Sequence, residues 1–122
     1  MKQINYGVIG CGRISNKHID AILNAKCAKF VAVADTVSDR VAEISNKHNV
    51  KGYANYHNLL ANKDIHVVNI CTPSGLHMEM ALAAAKAGKH VILEKPMALK
   101  TSDAEKIMEA FKKSKTKLSL MF

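Results

Sequence analysis

Two segments of this 122-residue chain combine residue types suited to holding phosphate and ribose. The first is Gly10-Cys11-Gly12-Arg13-Ile14-Ser15, a G-x-G-x-x-S run. Gly10 permits a tight turn, and Gly12 lets backbone approach a pyrophosphate with no Cβ in the way. A helix starting there offers free N–H groups and the positive end of its dipole. The second is Asp35, at the end of an apolar run and about 20 residues beyond the turn, where a carboxylate accepts hydrogen bonds from ribose hydroxyls. That carboxylate repels a 2′-phosphate, so NAD is the expected cofactor and NADP the less favoured one. Arg40 either softens that preference or decorates a helix surface. Ser15 stands where the fingerprint has Gly or Ala, a small departure in a small residue. The bland readings are an ordinary glycine turn and a turn or capping aspartate.

Two later segments place reactive types after apolar runs: Thr72-Pro73-Ser74-Gly75-Leu76-His77 and Glu94-Lys95-Pro96-Met97-Ala98. Ligands of open α/β sheets bind at the carboxyl ends of strands. Each segment alone reads equally well as a loop, with proline as punctuation and the histidine solvated or capping.

Strands and helices must alternate to position these residues. Strands are expected over residues 4–9, 30–34, 52–54, 67–71, 90–93 and 117–122. The continuous apolar runs FVAVA and VVNIC suit parallel strands covered on both faces. Helices are expected over 13–25, with Ile14, Ala21, Ile22 and Ala25 inward, and over 37–48, with Thr36 as N-cap. A short helical turn over 56–60 and a helix over 76–87 closed by Gly88 follow. A last helix is expected after a Ser102/Glu105 capping box. The alternation implies right-handed crossovers and an α/β, doubly wound, mainly parallel sheet in three layers.

The net charge is +8, from 18 Lys and Arg against 10 Asp and Glu. Lys106, Lys112, Lys113, Lys115 and Lys117 cluster late, and few aromatics interleave with them. A solvated helix face is therefore expected rather than a nucleic-acid surface. No apolar stretch approaches a membrane span, and the N-terminal apolar run is too short for a signal peptide. Three cysteines, Cys11, Cys27 and Cys71, lack Cys-x-x-Cys spacing, which fits a reducing, cytoplasmic setting and no metal site. An apolar strand closing the sequence suggests a domain boundary.

The order G-x-G-x-x-S, Asp35, T-P-x-x-x-H, then A-G-K-H-V-I-L-E-K-P resembles the glucose–fructose oxidoreductase, inositol 2-dehydrogenase and MocA family. The resemblance covers essentially all 122 residues and only that family's N-terminal Rossmann domain, with strand order 3-2-1-4-5-6. It implies an oxidoreductase moving hydride between NAD(H) and a hydroxyl-bearing carbon of a sugar, nucleotide-sugar or cyclitol. Gly10, Gly12, Arg13 and Ile14 would contact the pyrophosphate and Asp35 the ribose. Thr72, Pro73 and His77 would line the channel to the nicotinamide. Glu94 and Lys95 would lie beside the nicotinamide ribose and substrate, Lys95 as the catalytic lysine. The loops look similar to members oxidising UDP-linked amino-sugar uronates at C3. The family's second domain, which carries much of the substrate site and often the dimer interface, has no counterpart in these residues. A homo-oligomer is implied for the complete protein. The alternative is a non-catalytic dinucleotide-binding regulatory module, which has no need of Glu94-Lys95-Pro96 at a strand end.

Overall fold

Apolar residues at successive positions of a strand are stable only if both sheet faces are covered. In the computed structural model, which describes residues 2–121, they are covered. The strands are β1 (Ile4–Ile9), β2 (Ala28–Ala34), β3 (Lys51–Tyr53), β4 (Val67–Ile70), β5 (His90–Glu94) and β6 (Leu118–Met121). The helices are α1 (Ser15–Asn24), α2 (Ser38–His48), α3 (Tyr56–Leu60), α4 (His77–Lys86) and α5 (Thr101–Ser114). All pairings are parallel, in the expected order β3-β2-β1-β4-β5-β6. Of the last expected strand, Phe122 lies outside the described residues.

The sheet grows outward from β1 in one direction and from β4 in the other. Right-handed crossovers therefore land on opposite faces in the two halves. Ile19 and Ile22 of α1 and Ile44 of α2 pack on one face with Val8, Phe30 and Val33. Leu59 of α3, the alanines of α4, and Ile107 and Phe111 of α5 pack on the other with Ile9, Val68 and Leu93. The register shifts where Tyr6 faces Phe30 and Gly7 faces Ala32, which leaves Val31 as an extra residue. That bulge puts Phe30 and Val33 on the same face despite their odd spacing.

Three expectations about local structure are corrected. The inward stripe of α1 is Ser15, His18, Ile19 and Ile22, while Ile14, Ala21 and Ala25 are exposed. Two polar residues complete that stripe, so apolar spacing alone selects the wrong face. Thr36 does not cap α2. Val37 holds the cap position, and its N–H donates to Asp35 Oδ1 at 2.9 Å. Ser102 does not open a capping box either. The backbone is already helical at Thr101, and the N–H groups of Asp103 and Ala104 both bond Lys100 O at 3.1 Å. Gly88 does close α4, at φ +77, in a Schellman motif made by Gly88 N–H to Ala85 O and Lys89 N–H to Ala84 O.

Lys89 then turns into the protein. Its ammonium donates to Asn62 O at 2.8 Å and Ile65 O at 2.7 Å, tying the α3–β4 link to the start of β5. Burial lowers its pKa, and nearby Asp64 opposes that effect. Lys89→Met is expected to destabilise the domain by about 1–3 kcal/mol, since two carbonyls lose their donor. Urea denaturation of both proteins measures this, and an unchanged midpoint contradicts it.

Candidate functional site

The turn after β1 is built by glycine and closed by serine. Gly10 has φ +98, and a Cβ there would lie 2.9 Å from the carbonyl carbon of Cys71. Only glycine accepts that conformation and that neighbour without strain. At Gly12 an added Cβ meets no atom within 4 Å, so the space before it is open. Ser15 is fully buried, and its hydroxyl donates to Gly12 O at 2.6 Å. The departure from Gly or Ala at this position therefore adds a bond across the turn.

Asp35 fixes the same turn from the neighbouring strand. Cys11 N–H donates to Asp35 Oδ2 at 2.6 Å, while Oδ1 holds Val37 N–H. The turn-aspartate reading and the ribose reading are thus both compatible with its geometry, because each carboxylate oxygen keeps a second acceptor site. The Cys11 thiol reaches back toward Ala34 O at 3.8 Å. Burial, followed by the Asp35 charge, pushes Cys11 up to about 12, with Arg40 opposing. Burial and then Glu94 push the Cys71 thiol up as well. Both groups stay protonated and unreactive at neutral pH.

Gly10, Gly12, Arg13 and Ile14 share one cavity of about 810 Å³ with Asp35, Thr72 and Pro73. The apolar side chains of Leu76 and Met80 and the half-buried ring of Tyr56 complete it, and spacing did not single these out. The Thr72 hydroxyl donates to Met80 Sδ at 3.2 Å. The N-terminus of α1 has no side-chain cap and no acid in its first turn. Among the described residues, the N–H groups of Gly12, Arg13 and Ile14 have no acceptor. Free donors at one point and a carboxylate at another, joined by open space, fit a dinucleotide's pyrophosphate and ribose.

His77, Glu94 and Lys95 do not line this cavity. His77 is buried, with Nδ1 2.8 Å from Pro96 O and Nε2 2.8 Å from Thr72 O. A carbonyl can only accept, so the ring donates to both when doubly protonated and to one when neutral. His77, expected to line a channel, straps together the loops after β4 and β5. Lys95 is exposed just past β5, beside its cis peptide bond to Pro96. Glu94, half-buried, meets His18 Nε2 at 2.8 Å. His18 and Asn69 are buried polar residues that the sequence reading did not single out. Their signal was available: His18 lies three residues after Ser15, on the same helix face, and Asn69 interrupts the apolar run VVNIC.

Over residues 4–122 the chain matches the Gfo/Idh/MocA oxidoreductases, a family described as having an NAD-binding Rossmann fold. The chain belongs to this family. Oxidoreductase P35 of Formosa agariphila is 37% identical over 120 residues, covering 97% of this chain and 37% of that protein. Myo-inositol 2-dehydrogenase of Thermotoga maritima is 36% identical over 109 residues, covering 88% of this chain and 33% of that enzyme. The WlbA dehydrogenase of Bordetella pertussis, solved in complex with NADH and UDP-GlcNAcA, superposes with a TM-score of 0.94 at 31% identity. The match covers 98% of this chain and 37% of that one. This NAD-binding oxidoreductase domain thus spans 33–37% of the length of these relatives. No helix among its described residues is long and apolar enough to cross a membrane.

The two glycines separate stability from ligand space. Gly10→Ala is expected to lower the melting temperature by several degrees, because strain at positive φ adds to a backbone clash. Gly12→Ala is expected to leave the melting temperature near that of the unaltered domain. Calorimetric scans of the two variants check both statements.

Proposed function

We propose that this domain holds NAD(H) for an oxidoreductase that transfers hydride to or from a hydroxyl-bearing carbon of a sugar, nucleotide-sugar or cyclitol. The observation that carries the reading is the arrangement around the β1/β4 reversal. The glycine turn and Asp35 lie over β1 and β2, and the Glu94-Lys95-Pro96 segment follows β5 on the other side. A dinucleotide laid across this reversal with its adenosine ribose at Asp35 has its nicotinamide half over β4 and β5. Both substrate classes are named among the relatives, a myo-inositol 2-dehydrogenase and a WlbA complex with UDP-GlcNAcA. The similarity of the Thr72–His77 and Glu94–Ala98 loops to enzymes of amino-sugar uronates favours the nucleotide-sugar reading.

The bound nicotinamide supplies the hydride acceptor. The uncapped start of α1 and the open face of Gly12 bind and orient the pyrophosphate. Asp35 accepts from the adenosine ribose hydroxyls and disfavours a 2′-phosphate. Lys95 takes the proton from the substrate hydroxyl as the C–H bond gives up its hydride, and releases that proton to solvent. A lysine doing this near neutral pH needs partial desolvation or a neighbouring positive charge. Lys95 is exposed in the domain. We therefore assign its cover, the remaining substrate contacts and self-association to residues beyond this domain, in the part of the relatives' length that it does not span. The cytoplasm is the compartment that fits the cofactor and the protonated thiols.

Titration of the domain with NADH and NADPH tests the cofactor assignment. NADH is expected to bind more tightly, and Asp35→Asn to narrow the difference about tenfold. Asparagine keeps one acceptor for the turn, whereas alanine would remove both backbone contacts and confuse binding with folding. Tighter NADPH binding would overturn the role of Asp35. In the complete enzyme, Lys95→Met is expected to cut kcat about a hundredfold or more while leaving NADH affinity unchanged. Equal turnover would remove Lys95 from the proton transfer, whereas absence of turnover in the unaltered complete protein would favour the non-catalytic regulatory module instead.

A further inference from the structure

Below the carboxyl end of β5, a line of polar side chains crosses the layer between α1 and the sheet. His18 is fully buried, and Asn69 is 1% exposed. Asn69 Nδ2 donates to His18 Nδ1 at 2.9 Å, which leaves the ring proton on Nε2. Nε2 then donates to Glu94 Oε1 at 2.8 Å. The chain ends in a carboxylate at the carboxyl end of β5, with its side chain 18% exposed. Among the described residues, Asn69 Oδ1 is a buried acceptor without a hydrogen-bond partner. Apolar residues would fill this layer at lower cost, because a buried unpaired acceptor and two buried polar side chains each oppose folding. The arrangement therefore has a use other than packing, and its outlet is the position of one negative charge.

We propose that His18 is a positioning residue that clamps the Glu94 carboxylate beneath the nicotinamide, so that the site favours the oxidised cofactor over the reduced one. This deepens the reading given above and rests on it. Oxidised nicotinamide carries a positive charge on its ring and reduced nicotinamide carries none. A carboxylate fixed nearby and partly shielded from solvent attracts the first and not the second. His18 supplies two requirements. Its N–H donates to Glu94 Oε1 and fixes the direction of the carboxylate, and its burial in α1 stops that carboxylate from swinging into water, where the attraction would be screened. The negative charge of Glu94 is already felt beside it, at the Cys71 thiol. Because α1 also presents the free N–H groups to the pyrophosphate, one helix fixes the ligand's phosphate and the charge facing its ring.

The test is the ratio of NAD⁺ to NADH affinity, measured by equilibrium titration of the full chain and of four variants. Glu94→Gln keeps the hydrogen bond and removes the charge, so it is expected to shift the ratio about tenfold toward NADH. His18→Gln places a donor where Nε2 was and is expected to keep the ratio of the unaltered chain. His18→Asn and His18→Leu remove the donor to Glu94 and are expected to shift the ratio in the direction of Glu94→Gln. The two differ in packing, so loss of one to misfolding, seen by calorimetry, leaves the other. A purely structural histidine would change melting temperature and both affinities together, with the ratio constant, and that result overturns the proposal. A ratio unmoved by Glu94→Gln overturns it too. If the unaltered chain binds neither form, the cofactor reading itself fails and takes the proposal with it. If it binds both with a ratio insensitive to position 18, only the proposal fails.

Discussion

A parallel sheet built outward in two directions from its centre has a place that no crossover can cover. Each right-handed connection leaves from the carboxyl end of one strand and returns on its own face. The connections from β1 and from β4 therefore part company above their shared edge. The residues that line the cavity are gathered where they part. The glycine turn fills one side of the gap, the Thr72–Pro73 loop the other, and the end of β2 contributes Asp35. The helices do not form the gap; they aim their N-termini at it. A site of this kind needs no insertion or long loop, because the winding of the chain provides it.

The loops of the sheet are held by polar groups that are buried or, like Asp35, half-buried, and that are tied to backbone. His77 joins Thr72 O and Pro96 O, so the loops after β4 and β5 are tied to each other. Asp35 joins the turn after β1 to the link after β2. Lys89 does the same at the far end of the sheet for the α3–β4 link. Such groups are costly to bury and costlier to leave unpaired, so removing one partner releases a loop from its anchor. The shape of the cavity thus depends in part on His77 and Lys89, which do not line it.

The sequence was most informative where a residue type is forced by geometry. Gly10 and Gly12 define the turn, Gly88 stops α4, and the runs FVAVA and VVNIC announce strands covered on both sides. The parallel sheet followed from their alternation, and the strand order from the family resemblance. The reading failed where a polar residue did the work of an apolar one. Ser15 and His18 complete the buried face of α1, and a search for apolar spacing selected Ile14, Ala21 and Ala25 instead. It failed again where several residues could satisfy one helix end. Thr36 and Ser102 are good cap types, but backbone geometry and Asp35 met those needs first. His77 illustrates the deeper difficulty. The family resemblance placed it along the channel to the nicotinamide, and only the fold reveals two carbonyls on either side of its ring.

Asp35 gives the domain a constraint on its evolution. The carboxylate that would distinguish one nicotinamide cofactor from the other also ties the phosphate turn to its neighbouring strand. Drift at this position is therefore narrow. A change of cofactor cannot begin by simply deleting the acid, because the turn would slacken before any new phosphate contact was gained. The accessible routes go through residues that still accept from backbone N–H groups, such as asparagine or serine, accompanied by a cation at Thr36 or Arg40. Selectivity and architecture are inherited together here, and a lineage changing the first would carry the mark of preserving the second.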